Sequence, residues 1–222
     1  MTLTLHEHPF ASYCWKVLIA FYEREVPFEP HLVIDMDDRE ALAELWPLGK
    51  IPFLTDDRTG LALPESSIVI EFADRIGEAP PLIPADPDAA LQARLWDRVF
   101  DTAVMNPMQD IVGDSLRPDG HDDPHGVGEW RAALERAYEL LNDHLESGGW
   151  AAGPDFTIAD CAAAPSLFYA RVVHRWDESR LTGLTEYFER LTARPSVSRV
   201  IEEAREYRTL FPLPWPEYAN RP

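Results

Sequence analysis

The chain is poor in lysine and in cysteine. Lys16 and Lys50 are its two lysines, with arginine supplying the rest of the 20 basic residues, and Cys14 and Cys161 are its two cysteines. Two cysteines exclude a disulfide framework. No apolar run approaches the roughly 18 residues of a membrane helix, and no basic segment leads into an apolar one at the start. A cytoplasmic protein without membrane contact is therefore expected. Positive charge is scarce: 20 Lys+Arg against 39 Asp+Glu leave a net charge of −19, which argues against nucleic acid or an anionic membrane as partner. No nucleotide loop, zinc pattern or Ser-His-Asp signature is present. His121 and His125 flank Asp122-Asp123 in a stretch rich in Asp, Pro and Gly. That stretch reads as a solvated loop, and no metal is expected.

What is present suits a globular protein of one or two domains: 222 residues, 45% hydrophobic and 27% charged. Thr2 to His6 alternates as a strand does, and Ser12 to Glu25 carries apolar residues at helical spacing. Phe28 to Ile34 reads as a second strand broken by Pro30, and Asp38 to Leu45 as a short helix. Ile51 to Thr55 and Leu61 to Leu63 form a hairpin around Asp56-Asp57-Arg58-Thr59-Gly60, followed by a helix from Ser66 to Ile76. The order βαβαββα is that of a thioredoxin-like α/β domain, placed at residues 1–77. The proline-dense stretch at 78–87 reads as a linker. From 88 to 222 the period stays near 3.6, which predicts an all-helical domain with an irregular tail after Thr209. Pro107 should kink or end the first of these helices, Leu116 to Gly128 should be a loop, and Glu129 to Leu145, Leu184 to Leu191 and Val197 to Tyr207 should be helices. Thr157 and Asp160 have the spacing of a capping box ahead of another apolar helix.

One stretch carries more than fold. Gly49-Lys50-Ile51-Pro52 enters a β-run through a proline, which has no N–H and cannot sit in a central ladder. A cis Ile51–Pro52 bond would explain it, leaving the backbone of Ile51 free to pair with an extended peptide. Glu65-Ser66 opens a helix, whose free N–H groups and dipole favour a carboxylate. Together these describe a site for a short peptide bearing both a carboxylate and an amine. Both lysines are expected near this proposed site, consistent with local steering of an anion.

These motifs, with the order of a thioredoxin-like part, a linker and a helical part, resemble the glutathione S-transferase family over most of the chain. The resemblance implies glutathione as co-substrate, a small hydrophobic electrophile as second substrate, and a homodimer. It implies that Lys50 reaches the glycine carboxylate, that Ile51 beside Pro52 pairs with the cysteinyl amide, and that Glu65 and Ser66 take the γ-glutamyl ammonium and carboxylate. A thiol with a pKa of about 8.5 needs a donor to persist as thiolate at neutrality. The resemblance places that donor in His8-Pro9-Phe10-Ala11-Ser12-Tyr13-Cys14-Trp15-Lys16-Val17, where Ser12 matches the serine of the serine-type classes. Ser12 is equally suited to cap the helix. Tyr13 is the rival donor, or a wall of the site. Cys14 falls at the second position of a Cys-x-x-Cys pattern whose first position is Ala11, which makes a disulfide mechanism a poor match and a buried apolar role the simpler one. The acceptor pocket is expected between the domains, from Phe10, Tyr13, Met105 and Met108, with Ile111 beside them, although the two methionines fit the core of the long helix equally well. Trp46 stands where the family has a small polar residue. The alternatives are a glutathione-dependent reductase, isomerase or peroxidase on the same site, or a catalytically weak binding protein.

Overall fold

A computed structural model of the chain describes residues 3–220; Thr2, expected in the first strand, lies outside them, as do Met1, Arg221 and Pro222. The first seven elements are β1 (Leu3–Glu7), α1 (Ser12–Glu23), β2 (Phe28–Leu32), α2 (Met36–Leu45), β3 (Phe53–Asp56), β4 (Leu61–Pro64) and α3 (Ser66–Ile76). Six helices follow: α4 (Pro87–Val99), α5 (Asn106–Asp114), α6 (Pro124–Leu145), α7 (Ile158–Val173), α8 (Thr182–Ala193) and α9 (Pro195–Glu203). The βαβαββα order and the helical second part match the expectation.

The sheet runs β2-β1-β3-β4, with β1 parallel to β2 and antiparallel to β3, and β3 antiparallel to β4. Pro30 is accommodated because β2 is an edge strand, and it pairs opposite Leu5. Alternation along β1 buries Leu3 and Leu5 in the main core with Val17 and Phe21 of α1, while His6 turns to the other face against Phe53. One core runs through both parts of the chain, with α7, buried from Ile158 to Ala170, at its centre.

Local chemistry set several boundaries differently from the expectation. Helix α2 starts at Met36 because Asp35 accepts the Asp38 N–H at 2.9 Å and the Asp38 carboxylate accepts the Asp35 N–H at 3.3 Å, a capping box on two aspartates. Helix α6 starts at Pro124, with Asp123 accepting the Gly126 N–H at 2.9 Å, so the predicted loop is shorter than Leu116 to Gly128. Pro107 does not end the helical run, which continues to Asp114. The chain widens to a π-helical turn over Phe100–Met105, and Pro107 falls in the first turn of α5, where a missing N–H costs little. The last helix ends at Glu203, and a 3₁₀ turn spans Arg205–Leu210. The tail beyond it is not merely laid over the surface. Phe211 and Trp215 pack their rings 6.2 and 6.0 Å from that of Phe10.

The Thr157–Asp160 pair does form a capping box. Asp160 also accepts the Ala151 N–H at 2.9 Å and the Tyr187 hydroxyl at 2.6 Å, so it joins the start of α7 to α8 and to the preceding loop.

Candidate active site

The Ile51–Pro52 peptide is cis. Gly49 adopts φ +58° and donates to the Trp46 carbonyl at 2.8 Å, closing a turn that leaves Lys50 exposed and Ile51 outside the β3 ladder, which begins at Phe53. Across from this loop, Glu65 holds φ 72°, ψ 114°. A side chain is rarely found there, and the conformation costs about 1–3 kcal/mol. It lets the chain pass from β4 into α3 with no side-chain cap, so the first N–H groups of α3 keep no helical partner. Lys50, Ile51, Pro52, Glu65 and Ser66 line one cavity of about 280 Å³, together with Tyr13, Trp46, Asp101, Asn106 and Gln109. Trp46 stacks on Phe53 with 6.3 Å between ring centres, and its buried indole N–H has no partner among the described residues.

Beneath this cavity lies an ion cluster that the sequence reading did not find. Lys16 is wholly buried. Its ammonium lies 2.6 Å from Asp97, 2.9 Å from Asp101 and 2.8 Å from the Ser67 hydroxyl, which in turn donates to Asp97 at 2.8 Å. Lys16 therefore steers nothing, because its charge is spent on carboxylates of α4 and the π turn; Lys50 is the exposed lysine of the pair. Arg98 adds a contact to Asp101 Oδ2 at 3.2 Å, whereas the buried Asp101 Oδ1 has no partner among the described residues. Burial raises the Asp101 carboxyl against the pull of Lys16, with Asp97 adding to the rise.

Ser12 is the first residue of α1, but the cap position belongs to Ala11, so Ser12 is not serving as the N-cap. It is 4% exposed and its Oγ accepts the Gln109 side-chain amide at 3.1 Å. Its own proton has no acceptor among the described residues. The Tyr13 proton, in contrast, is committed to Asn106 Oδ1 at 3.2 Å, and burial, reinforced by Asp101, pushes the phenol well above its ordinary value. Cys14 is free and fully buried, and burial likewise raises its thiol.

A second cavity of about 350 Å³ begins at Ser12 and Gln109, and is walled by Phe10, Met108, Tyr169, Phe211 and neighbouring apolar residues. Phe10 and Met108 both line this cavity. Met105 does not: it is 0% exposed in the core, because the π turn rotates it inward. Ile111 is also buried rather than on the wall. Tyr13 lines the polar cavity and not this one. The reading missed Gln109, which borders both, and the tail residue Phe211; neither belongs to a local motif that could have announced it.

The thioredoxin-like sheet with its cis proline, followed by this helical arrangement, defines the glutathione transferase fold. The description "Glutathione S-transferase, N-terminal domain" matches residues 5–81 and "Glutathione S-transferase, C-terminal domain" residues 88–190. The chain belongs to the glutathione S-transferase family. It is 25% identical to glutathione S-transferase GstB of Escherichia coli K12 over 84% of this chain and 91% of that one. It is 27% identical to a stringent starvation protein A homolog of Coxiella burnetii over 92% and 95%. The crystal structure of a glutathione S-transferase from Methylobacillus flagellatus, with glutathione bound, superimposes with a TM-score of 0.81 at 25% identity, covering 89% of this chain and 98% of that one. Among the described residues no helix is long and apolar enough to cross a membrane, and no group of His, Cys, Asp or Glu is placed to hold a metal ion.

Proposed function

We propose that this protein is a glutathione transferase in which Ser12 holds the glutathione thiolate while it attacks a small apolar electrophile. The observation that carries the reading is the convergence of Lys50, Ile51 and Pro52 from one loop with Glu65 and Ser66 from another on a single cavity. Such a cavity offers charge in the order a γ-glutamyl tripeptide needs. Lys50 meets the glycine carboxylate, and the Ile51 backbone meets the central amide. Ser66 and the open amides of α3 meet the γ-glutamyl carboxylate, while Glu65 meets its ammonium.

Ser12 is preferred over Tyr13 because its hydroxyl proton is uncommitted, and the Gln109 amide that donates to its oxygen leaves that proton free to point at sulfur. Donation to the thiolate stabilises the charged form and lowers the thiol pKa. The sulfur then bonds to the electrophilic carbon, and the leaving group, where there is one, departs with the bonding pair. The electrophile is held by Phe10, Met108, Tyr169 and Phe211. Burial of Cys14 gives no support to a mixed-disulfide route.

The same reading includes a homodimer, a cytoplasmic location, and a linker at 78–87 between parts at 1–77 and 88–222. Supporting the dimer, Ile68 of α3 and Leu91 and Leu95 of α4 are exposed beside the Glu71–Arg94 ion pair that ties these helices together. Two free, buried cysteines suit a reducing compartment. Calorimetric titration with reduced glutathione, followed by turnover of a chloronitrobenzene by wild type and Ser12→Ala, tests the core of the proposal. Absence of heat on titration would sink it, and light scattering of the pure chain tests the dimer.

A further inference from the structure

Strand β1 ends on a residue that breaks its own pattern. Leu3 and Leu5 face α1, and Glu7 follows on the same face, 6% exposed. Its Oε2 has no hydrogen-bond partner among the described residues, and no ion pair reaches it there. A buried carboxylate without a counter-charge is costly to keep. Burial, with the charge of Glu203 adding, pushes the Glu7 carboxyl up to about 7.

Glu7 lies on the wall of a cavity of about 400 Å³ enclosed by β1, α1, β2, α9 and the 3₁₀ turn after α9, and this cavity shares no lining residue with the two described above. The rings of Trp15, Tyr22, Phe28 and Tyr207 form much of it, with Glu203 and Glu206 adding negative charge. The polar tips of two of these rings are already taken: the Trp15 indole N–H donates to the Pro9 carbonyl at 2.7 Å and the Tyr22 hydroxyl to Glu203 at 2.7 Å. What they offer a ligand is ring surface. The Arg199 guanidinium shows how that surface is used. It sits 3.8 Å from the Tyr22 ring centre and is neutralised by Glu203 at 2.8 Å, which leaves Glu7 uncompensated.

We propose that this cavity is a binding site for an organic ammonium ion, a primary amine on a small aromatic or apolar body, with Glu7 as its counter-charge and the aromatic rings as its walls. An ammonium group supplies the donors that the Glu7 carboxylate lacks, and the rings attract the cation and cover its apolar body. A metal ion is a poorer match, because the wall presents aromatic carbon where a metal needs several oxygens. The site is independent of the glutathione reading and stands whether or not that reading does.

Benzylammonium is the probe, with benzyl alcohol as its uncharged counterpart, titrated calorimetrically into the full chain at pH 8 with and without glutathione. Benzylammonium should bind saturably, about tenfold or more tightly than the alcohol, and glutathione should leave its affinity unchanged. Glu7→Gln should weaken benzylammonium about tenfold and abolish the preference over the alcohol. Lowering the pH below 7 should weaken it as Glu7 takes up a proton; the other titratable and charged groups facing Glu7 are Cys14 and Tyr22 on α1, Arg199 and Glu203 on α9, and Glu206 and Tyr207 on the turn. Tyr207→Ala, on a partly exposed residue outside the core, should weaken amine and alcohol alike, and it keeps the test decisive if Glu7→Gln does not fold. Unchanged affinity in either variant, displacement by glutathione, or no saturable heat would overturn the proposal.

Discussion

The two cavities that meet at Gln109 are built on opposite terms. The polar one, about 280 Å³, draws its defining groups from two short loops, residues 46–52 and 64–67, and holds them by backbone geometry: the left-handed Gly49 and Glu65 and the open first turn of α3. The apolar one, about 350 Å³, is assembled from side chains far apart in sequence, Phe10 at one end and Phe211 at the other, and is shaped by side-chain packing. A ligand of fixed structure can be met by groups fixed in the backbone. An apolar partner requires only surface, which any neighbouring element can supply, so the second wall is free to differ while the first stays put.

The largest test of this contrast is of the framework behind the apolar wall. Helix α7 carries Tyr169, and its start is held by Asp160, which accepts from two backbone amides and from the Thr157 and Tyr187 hydroxyls. Asp160→Ala leaves those donors buried and unmet, and should cost about 3–5 kcal/mol in urea unfolding. A loss below about 1 kcal/mol would mean that the wall does not depend on this network.

Ser12 lines the apolar cavity and accepts from Gln109, the residue that borders both. Ser12→Ala should lower kcat for a chloronitrobenzene about 10²–10³-fold while glutathione affinity stays near wild type, the scale of one lost donor to a developing anion. If Tyr13→Phe shows that loss and Ser12→Ala does not, the sulfur sits wholly in the polar half. Phe211→Ala should raise KM for the electrophile about tenfold and leave KM for glutathione alone. Lys50→Ala should do the reverse, raising KM for glutathione roughly fivefold, with the difference shrinking at high salt because Lys50 is exposed. Equal effects of these last two variants on both substrates would erase the division of labour.

The same division explains what could be read in advance. The βαβαββα order, the cis proline and the polar lining came from residues adjacent in sequence, where turn chemistry and capping decide conformation locally. Helix starts at Asp35 and Asp123 were missed because a side-chain cap outranks the apolar period used to place them. Of the two roles open to Met105, the core one is realised, on a π turn that a 3.6-residue spacing does not foresee. Gln109, Asp101 and Phe211 reach the site only through tertiary packing, and the pairing of Lys16 with aspartates 81 and 85 positions away leaves no local signal in the sequence.

The burial of Lys16 leaves Lys50 as the one lysine side chain open to solvent. Amine-directed reagents, whether acylating dyes, cross-linkers or immobilisation chemistry, are thereby confined to a single side-chain address at the mouth of the cleft. A reporter attached there would sense the cavity's contents, and acylation by an enzyme or a metabolite would silence the same position.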